Sequence, residues 1–79
     1  MNSILITGGA GFIGLNLVNF LIKKKYEITI IDSLKYSSNK EHIEKLKNKI
    51  TFYKNDISDY RNIEKIINNK KPDIIFHLA

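Results

Sequence analysis

The chain has 79 residues, enough for one small domain that buries roughly 60–65% of its unfolded surface. Hydrophobic residues at 43% and charged residues at 27% give a globular balance, and the lack of cysteine excludes disulfide staples and thiolate metal sites. The net charge of +5 is scattered rather than gathered into a patch, which speaks against a nucleic-acid partner.

No apolar run reaches the ~20 residues of a membrane span, and Met1-Asn2-Ser3 lacks the basic start of a signal peptide. No membrane partner is expected, and the expected location is cytoplasmic. His42 and His77 have no ligand-like spacing, so no metal site is expected either.

Taken in order, Ser3–Thr7 is short, continuous and apolar, the pattern of a buried parallel strand. Phe12–Lys23 reads as a helix whose apolar face combines Ile13, Leu17 and Leu21 with Val18 and Ile22. Residues 27–31 are β-branched throughout their core and form a second strand ending at Asp32. Residues 33–40 read as a serine-rich loop, and residues 41–49 as a helix with Ile43 and Leu46 inward. Residues 50–54 form a third strand that delivers Asp56. Ser58 is the expected N-cap of a third helix over residues 59–69, with Ile63, Ile66 and Ile67 on one face. Lys70-Lys71-Pro72 ends that helix, because proline disfavours helical geometry in the residue before it. Residues 73–78 are the fourth strand.

Strands alternating with helices imply an α/β fold: a parallel sheet of about four strands with three helices, the N-terminal half of a doubly wound Rossmann fold. The expected strand order is 3-2-1-4, with ligands at the carboxyl ends of the strands.

Between the first strand and first helix stands Thr7-Gly8-Gly9-Ala10-Gly11-Phe12-Ile13-Gly14, which holds all 4 glycines of the chain. Gly9-x-Gly11-x-x-Gly14 satisfies the dinucleotide fingerprint, and Gly8-x-x-Gly11-x-x-Gly14 is a second register through the same residues. A glycine-rich stretch by itself is more often a plain turn. Here the strand-turn-helix context fits, and Asp32 falls near the interval of about 20 residues at which the fingerprint places an acid. No Gly-Lys-Ser/Thr follows, which excludes a P-loop. Gly8, Gly11 and Gly14, with the N–H groups of Phe12 and Ile13, are expected to hold a pyrophosphate at the electropositive helix end. Asp32 is expected to accept from the adenosine ribose hydroxyls and to repel a ribose phosphate, favouring NAD over NADP.

The octapeptide, together with Asn55-Asp56-Ile57-Ser58-Asp59 and Pro72-Asp73-Ile74-Ile75-Phe76-His77-Leu78-Ala79, resembles the extended short-chain dehydrogenase/reductases. Within them it is similar to the NAD-dependent nucleotide-sugar epimerases and dehydratases. The three motifs run in the family's order through the whole chain. The resemblance implies that Asp56 and Ile57 contact the adenine, and that Leu78 and Ala79 line the dinucleotide cleft. It implies a nucleotide-sugar substrate, a homodimer, and NAD taking hydride from C4 of the sugar. The tyrosine base of that chemistry, in Tyr-x-x-x-Lys, lies further along the chain in this family. Tyr36-Ser37-Ser38-Asn39-Lys40 matches that signature, but its place directly after the second strand assigns it to the adenosine side. No catalytic residue is therefore expected among the 79, which read as the NAD-binding part alone.

The Gly14-to-Asp32 spacing and the Asp32-Ser33-Leu34 … Ser37-Ser38 loop resemble the UDP-glucose 4-epimerases, the favoured subgroup. Leu15-Asn16, Tyr36 and His77-Leu78-Ala79 resemble the dTDP-glucose 4,6-dehydratases. A self-standing nucleotide-binding module and a non-functional truncated product are the other readings. Ile74, Ile75 and Phe76, which read as buried on both faces, favour truncation.

Overall fold

Runs of isoleucine without polar alternation must be covered on both faces of a sheet. The computed structural model shows how, describing residues 2–34 and 37–78, with the main chain alone for residues 12 and 37–39. The elements are β1 (Ser3–Thr7), α1 (Phe12–Lys23), β2 (Glu27–Asp32), α2 (Ser37–Leu46), β3 (Thr51–Lys54), α3 (Tyr60–Lys70) and β4 (Ile74–His77). All neighbouring strands are parallel, in the order β3-β2-β1-β4. This is the sheet expected of half a doubly wound Rossmann fold.

Alternation along the strands splits the core in two. Ile4, Ile6, Ile28 and Ile30 face one way, against Leu15, Val18 and Leu21 of α1 and Ile43 of α2. Leu5 and Ile31 face the other way, against Ile66 of α3, with Ile63 and Ile67 beside it. Each fully buried side chain of this kind contributes about 1.5–3 kcal/mol, so the sheet centre dominates the stability. β4 pairs with β1 alone among the described residues, and Ile74 and Ile75 remain 43% and 49% exposed.

Four expectations are corrected. Ile13 is 71% exposed rather than part of the apolar face of α1. At 3.6 residues per turn the buried stripe centres on Val18, which leaves Ile13 and Phe20, seven apart, on the outer side. The serine-rich stretch is not all loop, because α2 begins at Ser37 and ends at Leu46. Serine and asparagine favour helix starts as well as turns, and beyond Leu46 the bonds Lys47 N–H to Glu44 O and Lys49 N–H to Leu46 O are turn bonds. α3 is capped by Asp59, whose carboxylate accepts from Asn62 N–H, and not by Ser58. Ser58 is engaged elsewhere: its N–H and Oγ–H both donate to Asp56 Oδ1 at 2.9 Å. Finally, β3 and β4 are each shorter than expected, starting at Thr51 and covering only Ile74–His77.

Candidate functional site

Parallel pairing brings the carboxyl ends of all four strands to one edge, and three main-chain bonds stitch that edge past the strands themselves. Gly8 N–H donates to Ile31 O at 2.8 Å, Asn55 N–H to Asp32 O at 3.0 Å, and Leu78 N–H to Thr7 O at 3.0 Å. The glycine turn, Asp32, the Asn55-Asp56 loop and Leu78 therefore form one continuous rim.

The turn is shaped by its glycines, each for a different reason. Gly8 has φ 74, a left-handed conformation that side chains rarely adopt. A Cβ on Gly14 would lie 2.5 Å from Gly8 O and 2.7 Å from Gly9 Cα, so only glycine lets α1 sit this close to the turn. A Cβ on Gly9 would meet Ile30 Cγ2 at 2.6 Å, so that glycine packs inward against the sheet. At Gly11 the nearest atom, Gly8 O, would be 3.4 Å away, and the space around the position is otherwise open. The chain thus uses both registers of the motif, one for turning and one for packing.

Gly11 is also the N-cap of α1, extended at φ −75 and ψ 173. It offers no side chain to the helix, and the first turn holds no acid. The leading N–H groups of a helix lack intrahelical acceptors, so the main chain of Phe12, Ile13 and Gly14 presents uncapped donors at the electropositive end.

Asp32 closes the site from β2. Its Oδ2 accepts from Ala10 N–H at 3.1 Å, and its Oδ1 accepts from Leu34 N–H at 2.8 Å. The half-buried carboxylate thus braces the glycine turn across the gap between β1 and β2, a link the motif alone does not disclose. Asp56 lies exposed beyond β3, with its carboxylate turned back onto Ser58 and its carbonyl taking a bond from Asn55 Nδ2 at 2.9 Å. Ile57 beside it is half-buried. Leu78 is exposed at the end of β4. Ala79 and Tyr36 lie outside the described residues, and Lys40 is exposed on α2.

One contact at the rim had no signal in the sequence. Thr7 Oγ1 and His77 Nδ1 share a hydrogen bond of 2.7 Å between residues 70 apart in the chain. Among the described residues, no three His, Cys, Asp or Glu side chains gather as a metal site, and no helix is long and apolar enough to cross a membrane.

A sequence profile described as GDP-mannose 4,6 dehydratase matches residues 5–79. The chain is 39% identical over 82 aligned residues to the dTDP-glucose 4,6-dehydratase of Haemophilus influenzae, covering 100% of this chain and 24% of that protein. Among solved structures it is similar to the UDP-Glc/GlcNAc 4-epimerase from Campylobacter jejuni, with a TM-score of 0.90 and 34% identity over 100% of this chain and 24% of that one. It is likewise similar to the dTDP-glucose 4,6-dehydratase from Bacillus anthracis in complex with NAD, with a TM-score of 0.88, 31% identity, and coverage of 100% and 27%. The chain spans about a quarter of the length of these relatives.

Proposed function

The chain belongs to the family described as GDP-mannose 4,6 dehydratase, within the extended short-chain dehydrogenase/reductases that epimerise or dehydrate nucleotide sugars, and from that premise we propose that its 79 residues are the NAD-binding portion of a nucleotide-sugar epimerase. One arrangement carries the reading. An uncapped helix N-terminus, reached through the positive-φ Gly8, stands beside a carboxylate at the end of the neighbouring strand.

The residues present fit the cofactor. Phe12 and Ile13 open α1 directly after Gly11, where a Cβ would meet only Gly8 O at 3.4 Å, and a diphosphate there would find the leading helix N–H groups and a favourable dipole. Gly8 and Gly14 shape that approach. Asp32 keeps lone pairs beyond its bonds to Ala10 and Leu34 for the adenosine ribose hydroxyls, and its charge disfavours a ribose phosphate. By the family resemblance, Asp56 and Ile57 would contact the adenine, and Leu78 and Ala79 would belong to the lining of the dinucleotide cleft. When bound, NAD supplies a reversible hydride acceptor for the sugar C4–H. The base for the sugar hydroxyl is not assigned to any of these 79 residues.

For the whole protein, C4 epimerisation of a UDP-sugar is supported by the fold match at TM-score 0.90 to the Campylobacter epimerase. Dehydration of a dTDP-sugar is the second reading, supported by the 39% identity to the Haemophilus enzyme. Supplying UDP-glucose and dTDP-glucose to a protein of the relatives' full length that carries this chain separates them: a C4 epimer is expected from the first, and a 4-keto-6-deoxy product from the second identifies a dehydratase instead. The cofactor site is tested in the same full-length protein by titrating NAD into isotope-labelled material. Shifts should concentrate in the amides of residues 8–14, and their absence at millimolar NAD would sink the assignment.

A further inference from the structure

Two bonds from the carboxyl end of β4 and the residue after it hold Thr7. Its carbonyl accepts from Leu78 N–H at 3.0 Å, and its hydroxyl is joined to His77 Nδ1 at 2.7 Å. Thr7 and His77 stand opposite one another in the parallel ladder. Thr7 is only 4% exposed, so its hydroxyl requires a partner within the protein. Among the described residues that partner is His77.

The residue after Thr7 is Gly8, whose carbonyl governs the whole turn. It accepts from Gly11 N–H at 3.1 Å, and it is the atom against which Gly14 packs. Any displacement of Thr7 is therefore passed through one peptide to the N-cap of α1 and to its first turn. On the β2 side the turn is already fixed, by Gly8 N–H on Ile31 O and by Asp32 on Ala10 N–H. On the β4 side the only side-chain tether among the described residues is the Thr7–His77 bond.

We propose that Thr7 and His77 form a positioning pair that sets the glycine turn for a diphosphate. Neither residue contacts the ligand; both act through the Gly8 peptide. The inference rests on the reading of that turn as the cofactor's diphosphate site. It assigns a role to two residues outside the fingerprint, and to the one histidine at the rim.

The test uses a protein of the relatives' full length that carries this chain, with Thr7→Val, Thr7→Ser, His77→Phe, His77→Asn and the double variant Thr7→Val/His77→Phe. Valine and phenylalanine keep shape and remove the bond; serine and asparagine keep a polar atom in place. ADP affinity should fall about 3–10-fold in Thr7→Val and in His77→Phe, the worth of one neutral hydrogen bond. Adenosine affinity should stay unchanged, and Thr7→Ser and His77→Asn should restore most of the ADP binding. The double variant should lose no more than either single one, since both remove the same bond. Hydrogen exchange of the Gly8 amide, measured without ligand, should quicken in the same two single variants and recover in the conservative ones. Wild-type ADP affinity in Thr7→Val, or equal losses for ADP and adenosine, would overturn the proposal. If the wild type binds no ADP, the diphosphate site itself fails; Gly8 exchange then decides separately whether the pair holds the turn, and unchanged exchange refutes it.

Discussion

A methyl group at Gly14 would stand 2.5 Å from the Gly8 carbonyl oxygen, whereas at Gly11 the nearest atom is 3.4 Å away. The first clash is with backbone and cannot be relieved by a rotamer change. Gly14→Ala should therefore destabilise the fold by about 1–3 kcal/mol, as overpacking does. Gly11→Ala should leave the urea midpoint nearly unchanged, yet weaken NAD, because its methyl group projects into the open approach to α1. A Gly11→Ala protein that binds NAD like the wild type would place the diphosphate elsewhere. Asp32 calls for a different substitution, since it both charges the site and braces Ala10 and Leu34. Asp32→Asn keeps an acceptor and removes the charge, so the preference for NAD over NADP should narrow. A charge-assisted hydrogen bond is worth about 1.5–3 kcal/mol, and the ratio of the two affinities should move by up to that amount. Equal affinities in the wild type would remove the basis for the assignment.

α3 shows how a cap is chosen among neighbouring candidates. Ser58 and Asp59 are both residues that favour helix starts, but Ser58 spends its N–H and hydroxyl on Asp56. Asp59 then accepts from Asn62 N–H at 3.4 Å and from Asn62 Nδ2 at 3.0 Å. The backbone bond is long, so Asp59→Ala should cost near the lower end of the usual range for a cap, about 0.5–1 kcal/mol. Ser58→Ala should cost less in stability but disturb Asp56. Urea unfolding measures the first effect, and the amide shifts of residues 55–58 report the second. A larger stability loss from Ser58→Ala would reverse the assignment of the cap.

Across the whole molecule the weak part is β4. The central strands β1 and β2 are covered on both faces, while Ile74 and Ile75 of β4 point to opposite faces and stay 43% and 49% exposed. Ile13 and Phe20 add 71% and 59% exposed apolar surface on α1. An unpaired apolar edge is a template for strand addition. The 79-residue chain should therefore associate as its concentration rises, with broad thermal unfolding, and should turn over no nucleotide sugar. Ile75→Lys should reduce the association seen by sedimentation, because a charge on an edge strand opposes pairing. A wild-type chain that stays monomeric at high micromolar concentration and melts sharply would contradict the exposure of that edge.

Much of this is legible in the sequence. The isoleucine runs specify the strands and the intervening helical periods specify the crossovers, from which the doubly wound rule gives the parallel 3-2-1-4 order; burial on both faces holds for β1 and β2 but not for Ile74 and Ile75 of β4. The glycine octapeptide and Asp32 follow as well, because turn chemistry and spacing are written in consecutive residues. Three things had to wait for the tertiary structure. Which glycine turns and which packs depends on what stands opposite: Gly9 meets Ile30, and Gly14 meets the Gly8 carbonyl. Whether Ile13 is core or surface depends on the rotation of α1 about its axis, which is set by the sheet beneath it. The partners of Asp32 and Thr7, at Ala10 and His77, lie 22 and 70 residues away along the chain. No local period encodes contacts of that separation, since they exist only once parallel strands bring their carboxyl ends to a common edge.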